Sequence, residues 1–174
     1  NGFDWHIIHI NDPETLTLLG TKYYMVYDVS ELPKSIETSF AYELDFLKVY
    51  RANNFESIGF TFNKFRYIEN VNEGKDVNWN DELLIYYKDT SRISHIPFTT
   101  NRSYFEVTSK NNNSLTGIID FSESTILYLS IPYNEGLKII VNGKVTDYFK
   151  VHGGFIGIPL NKGISNIEMY FVPN

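Results

Sequence analysis

Short aromatic-rich segments separated by turn residues predict a mainly β protein, α+β in its first half, ending in an antiparallel β-sandwich of jelly-roll-like type. Three observations carry this expectation. Aromatic residues make up 16% of the 174-residue chain, with thirteen Tyr and thirteen Phe, and such rings favour pleated, half-buried surfaces. From about residue 103 onward, strand-like runs recur at regular spacing. Each run ends in turn chemistry, sharpest at Asn142-Gly143, the side-chain pair that two-residue hairpins select. The length allows one domain or two small ones. The expected division sets an α+β part, residues 1–100, against a sandwich, residues 101–174, either packed together or merged into one composite domain.

Along the chain, Asp12-Pro13-Glu14 carries a helix cap, a first-turn proline and a carboxylate at the positive dipole end, and Gly20 supplies a left-handed stop. This predicts a two-turn helix. Lys22–Asp28 reads as a buried strand. Ile36–Leu44 reads as a short helix with Phe40, Leu44 and Leu47 on one side. Phe46–Arg51 and Ile58–Phe62 read as a strand pair around Ala52-Asn53-Asn54. Glu69–Asp76 is polar enough for an exposed loop, and Trp79–Asp89 fits a helix or a strand equally. Seven strands follow: Ser103–Ser109, Leu115–Phe121, Thr125–Ile131, Leu137–Val141, Val145–Val151, Phe155–Leu160 and Ile164–Val172.

Composition removes several function classes. A net charge of -6 without a Lys/Arg block argues against nucleic acid, which a protein grips by neutralising phosphates. Cysteine is absent, so disulfides, thiolate metal sites and Cys nucleophiles go together. No stretch reaches the roughly 18 consecutive apolar residues of a membrane helix. There is no Gly-x-Ser-x-Gly elbow, phosphate-binding loop or His-Glu-x-x-His motif.

The run Ile126-Leu127-Tyr128-Leu129-Ser130-Ile131-Pro132-Tyr133-Asn134-Glu135-Gly136-Leu137-Lys138, with Val141-Asn142-Gly143-Lys144 after it, resembles a recurring stretch of the YfhO family of bacterial polytopic membrane proteins. Val151–Ile158, Leu160-Asn161-Lys162-Gly163 and Ile167–Pro173 continue the resemblance in order and spacing. Leu18–Tyr24 and Val49–Asn53 give a weaker echo in the first half. Two departures stand out: Gly136-Leu137 replaces the family's usual Gly-Trp, and Asn142-Gly143 its usual Asp-Gly. The second preserves the turn. The first removes a ring suited to stacking on a sugar.

The resemblance implies a lipid-linked-sugar transferase of the multi-span type that decorates cell-envelope polymers such as lipoteichoic acid, in bacteria of Gram-positive type. The catalytic carboxylate of such transferases sits near the membrane among helices that this chain lacks, so no catalytic residue is assigned. The expected role is a non-catalytic domain on the extracytoplasmic face of the cell membrane, anchored through flanking helices. Its partner would be a cell-envelope glycan or the membrane-embedded part of the same protein. Against a polyanionic polymer stands the charge of -6, unless a local basic patch exists.

Among individual residues, Tyr133, Glu135, Trp79 and His152 are the candidates for carbohydrate binding. Aromatic rings offer sugars an apolar face and, in Tyr and Trp, a polar tip; Trp5 and Tyr148 belong to the same group. Glu135 beside Tyr133 is a turn carboxylate, and His152 precedes Gly153-Gly154, where backbone approaches a ligand closely or simply turns. Asp4-x-His6-x-x-His9 matches no zinc spacing, so no metal and no cofactor is expected. Two other classes compete with the membrane-protein reading. A free-standing carbohydrate-binding module predicts a row of exposed rings, and a small hydrolase predicts two close carboxylates in a cleft.

Overall fold

The computed structural model describes residues 23–32, 37–53, 57–70, 81–93, 102–111 and 113–172, with Leu19, Lys34, Glu73 and Ile96 besides. The expected helix at 12–20, apart from Leu19, lies outside these residues, as do Trp5, Trp79 and the Asp4/His6/His9 cluster. The chain divides into two compact units, Asn1–Phe55 and Glu56–Asn174.

Among its described residues the first unit holds one antiparallel sheet in the order β1-β3-β2, with β1 at Tyr23–Val26, β2 at Thr38–Leu44 and β3 at Leu47–Ala52. The expected helix over Ile36–Leu44 is corrected here. Phe40 and Leu44 do stand four apart, but Thr38–Leu44 is extended and pairs with β3 from Thr38↔Ala52 to Leu44↔Leu47. Asp45, at φ 54°, makes the tight turn between them. The strand pair expected across Ala52–Asn54 is corrected as well, because β3 pairs with β1 and β2.

The second unit is a two-sheet β-sandwich. One sheet runs β11-β10-β14-β8-β7 and is antiparallel throughout, built from Lys144–Val145, Leu137–Val141, Gly163–Phe171, Ser114–Phe121 and Glu106–Lys110. The other runs β4-β9-β13-β12-β6-β5, from Gly59–Thr61, Thr125–Pro132, Phe155–Leu160, Phe149–Val151, Glu82–Tyr86 and Lys64–Ile68. Its edge pair β5/β6 is parallel, so this sheet is mixed. The described part of the undecided segment 79–89 is strand β6 followed by a 3₁₀ turn at Tyr87–Arg92. Strands at 59–86 share a sheet with strands after residue 125, on both sides of the division expected near residue 100.

Between the sheets lies a core of Leu115, Ile119 and Phe121 from β8, Leu127 and Leu129 from β9, Ile156 and Ile158 from β13, and Ile167 and Met169 from β14. Alternation along β8 and β14 puts these side chains inward and Asp120, Asn166 and Glu168 outward. Strand β9 breaks that rule: Thr125 to Leu129 are all buried, because its second face is covered too. There Tyr128 meets Phe60, Phe62 and Phe155 with ring centroids 5.2, 5.5 and 5.6 Å away. Gly157 lies opposite Tyr128 in the ladder, and a Cβ there would come within 2.6 Å of Val151 Cγ1. Glycine leaves there the space that the Val151 side chain fills.

Candidate functional site

The two glycine-bearing turns show how this site is positioned. Val141↔Lys144 closes a two-residue hairpin with Asn142 at φ 50° and Gly143 at φ 77°, the mirror-image turn that matches strand twist. Between β12 and β13, His152 at φ 51° and Gly153 at φ 79° reverse the chain. The Gly154 carbonyl then accepts a hydrogen bond from the Tyr133 N–H at 2.8 Å. A register shift between Phe155 and Ile156 marks a bulge where β9 ends, which redirects the chain into Tyr133.

After it, Asn134-Glu135-Gly136 is pinned from several sides. Asn134 Oδ1 accepts from the Gly136 N–H at 2.8 Å, and the Gly136 carbonyl accepts from the Val172 N–H at 2.9 Å. The Tyr148 hydroxyl stands 2.7 Å from the Asn134 carbonyl and 2.8 Å from that of Leu137, sharing its one proton between them. Burial raises the Tyr148 hydroxyl pKa above the ordinary tyrosine value, and neighbouring Tyr133 and Glu135 add to this. Tyr133 and Tyr148 pack with centroids 5.6 Å apart.

Beside that turn opens a cleft of about 400 Å³ lined by Lys88, Asp89, Arg92, Tyr133, Glu135, Phe149 and Lys150. The 3₁₀ turn after β6 contributes Lys88, Asp89 and Arg92; β12 contributes Phe149 and Lys150. Arg92 ties the walls together. Its Nε lies 3.5 Å from Asp89 Oδ1, and its Nη1 donates to the Tyr148 carbonyl at 3.3 Å. Asp89 itself is only 6% exposed, and its Oδ2 has no hydrogen-bond partner. Three cationic side chains and two carboxylates therefore share one wall system with an aromatic edge.

A second cleft, of about 440 Å³ beside Asn142, Lys144, Asn161 and Lys162, is lined by neither a ring nor a carboxylate. Among the described residues no group of three or more His, Asp or Glu side chains is placed to hold a metal ion.

Of the residues singled out by sequence, the structure brings Tyr133 and Glu135 together in the first cleft and places Tyr148 behind them. Trp79 lies outside the described residues. His152 is inside the protein, not presented at a turn surface: it is 3% exposed, and its rings of contact are Phe62 and Tyr128 at 5.1 and 5.6 Å. Its Nδ1 accepts from the Leu84 N–H at 3.0 Å, while its own N–H donates to the Leu84 carbonyl at 3.0 Å. The imidazole thus completes the β12–β6 ladder where a turn would leave a strand amide unpaired. Asp89, Arg92, Lys88 and Lys150 escaped the sequence reading. Their one local signal is the alternating charge of Lys88-Asp89 and Arg92 after an apolar strand.

Comparison with known proteins gives two matches. The family model described as "Bacterial membrane protein YfhO" matches residues 70–174. The uncharacterized protein YfhO of Bacillus subtilis (strain 168) is 35% identical over 63 residues, which are 36% of this chain and 7% of that relative's length. No solved structure matches the chain. Among the described residues no helix is long and apolar enough to cross a membrane.

Proposed function

This chain belongs to the YfhO family of bacterial membrane proteins, and from that premise we propose that it is an extracytoplasmic domain that holds a glycan for a membrane-embedded sugar transferase. The domain supplies binding and orientation, and the reacting carboxylate belongs to the rest of the protein. The acceptor would be a cell-envelope polymer of the lipoteichoic-acid type.

One observation carries this reading: the cleft that gathers Tyr133 and Glu135 with Lys88, Arg92 and Lys150. A chain of net charge -6 gives a glycan polymer little reason to approach, but this cleft is locally cationic by three side chains to two. Aromatic edge, charged donors and carboxylate acceptors at one place are what a hydroxyl-bearing ligand uses. The small-hydrolase alternative has less to stand on, because Glu135 is exposed to solvent.

Two measurements test the reading. This chain contributes no cysteine, so Lys138→Cys in a full-length protein whose remaining cysteines have been replaced is a specific probe of sidedness. Labelling by a membrane-impermeant maleimide in intact cells is the expected result, and labelling only after lysis refutes the placement. Titration of the isolated chain with envelope glycan fragments should perturb Tyr133 and Glu135, and Tyr133→Ala should abolish the response.

A further inference from the structure

We propose that Asp89 is the specificity-determining acceptor of the cleft, and that the ligand it selects is a neutral pyranoside whose hydroxyl donates to its carboxylate. This deepens the glycan-holding reading and rests on it. The starting point is a disagreement between Asp89 and its surroundings. A carboxylate taken out of water requires hydrogen-bond donors, and a buried one is stable only when they are supplied. Asp89 is 6% exposed and lines the cleft, yet its Oδ2 has no partner. Its Oδ1 has only Arg92 Nε at 3.5 Å, well beyond the roughly 2.7–2.9 Å of a charge-assisted hydrogen bond.

Arg92 is therefore a loose cover. It also holds the Tyr148 carbonyl from Nη1, and its side chain is half exposed. A ligand hydroxyl that moves the guanidinium aside takes its place on the Asp89 carboxylate at Oδ1, at the cost of the Nη1 bond to the Tyr148 carbonyl and of no backbone–backbone pairing. The lining then decides the class. A free anion such as phosphate meets the carboxylates of Asp89 and Glu135, whereas an ammonium ion meets Lys88, Arg92 and Lys150. A neutral polyol donates from one hydroxyl to Asp89 and accepts from the cations at the next, so it uses both sets without carrying a charge that either repels. A pyranose adds an apolar C–H face for the Tyr133 ring. The volume of about 400 Å³ lies within the usual range for small-ligand sites, about 300–1,000 Å³.

The test is a titration of the ¹⁵N-labelled 174-residue chain with methyl α-glucoside, methyl α-galactoside and N-acetylglucosamine, followed by amide chemical shifts. Inorganic phosphate serves as the anionic control. At least one pyranoside should shift the amides of Tyr87–Arg92 and Tyr133–Gly136 to saturation, and phosphate should not. Asp89→Asn keeps the shape but weakens the acceptor, and should lower affinity by about tenfold or more.

Unchanged affinity in Asp89→Asn overturns the role of Asp89 and leaves the glycan-holding reading standing. Saturable phosphate binding with silent pyranosides overturns the ligand class. Silence of the wild-type chain toward every pyranoside overturns both. Should Asp89→Asn lose its spectral dispersion, the ¹³C carboxyl resonance of Asp89 in the wild-type chain decides. Its shift at saturation supports the proposal, and its constancy refutes it.

Discussion

Among the described residues only the second unit seals aromatic rings completely, although it exposes others such as Tyr87 and Tyr104. In the three-stranded sheet, Met25 and Phe46 are each 67% exposed, and Tyr23, Tyr27, Phe40 and Tyr42 are exposed as well. Tyr27 and Phe46 stack at 5.7 Å with planes 7° apart, yet both remain open to solvent. In the sandwich, Phe60, Phe62, Phe105 and Tyr128 are sealed. Ring content by itself thus says little about core. A ring contributes stability when a second layer covers it, and a single sheet of three short strands cannot cover both of its faces.

That contrast can be broken experimentally at several strengths. The largest effect belongs to Phe60→Ala, which empties a site walled by Phe62, Tyr104 and Tyr128 and covered by the Arg102 guanidinium 4.3 Å away. Loss of about 3–5 kcal/mol of unfolding free energy is expected in a urea titration. Next comes Gly157→Val, which forces a side chain against Val151, Ile126 and Phe149. Overpacking of about 1–3 kcal/mol should appear as a lower urea midpoint with an unchanged slope.

A third test uses alkali. Burial holds the Tyr128 hydroxyl far above the ordinary tyrosine range, so the folded protein keeps it protonated. The unfolded chain ionises that group near pH ~10, so its contribution is intact below that pH and falls as pH rises beyond it. The loss should reach up to about 1.4 kcal/mol per pH unit. Tyr128→Phe should flatten the decline above pH ~10. The smallest effect falls in the first unit, where Phe46→Ser should change stability by no more than about 0.5 kcal/mol in the same titration.

How much of this was legible in the sequence follows the range of the interactions. Leu137–Val141 and Phe155–Leu160 were read with their observed bounds because local chemistry stops them: Gly136 and the Asn142-Gly143 turn for one, Gly153-Gly154 and Asn161 for the other. Family resemblance rests on that same region. Thr38–Leu44 was misread because Phe40, Tyr42 and Leu44 satisfy period two while Phe40 and Leu44 also satisfy a helical face. A register shift between Phe40 and Tyr42 blurs the alternation further. For β4, the partner is β9, paired through Phe60↔Tyr128, and nothing near residue 60 announces a mate so distant.

The cleft divides along the same line. Tyr133 and Glu135 belong to a turn with visible chemistry, but Arg92 reaches Tyr148 across 56 positions of sequence. His152 shows the reverse failure. Its Gly-Gly neighbours advertise a turn, and no local pattern reveals that Leu84 needs its nitrogen.

The order β11-β10-β14-β8-β7 carries a kinetic consequence. The last strand in sequence, Gly163–Phe171, is the central strand of its sheet, flanked by β8 and β10. Until it leaves the ribosome, β7–β8 and β10–β11 are separate hairpins exposing the apolar faces they later share. Assembly of this five-stranded sheet is therefore held back until synthesis has passed Phe171, and every truncation upstream of Gly163 leaves its two hairpins unjoined.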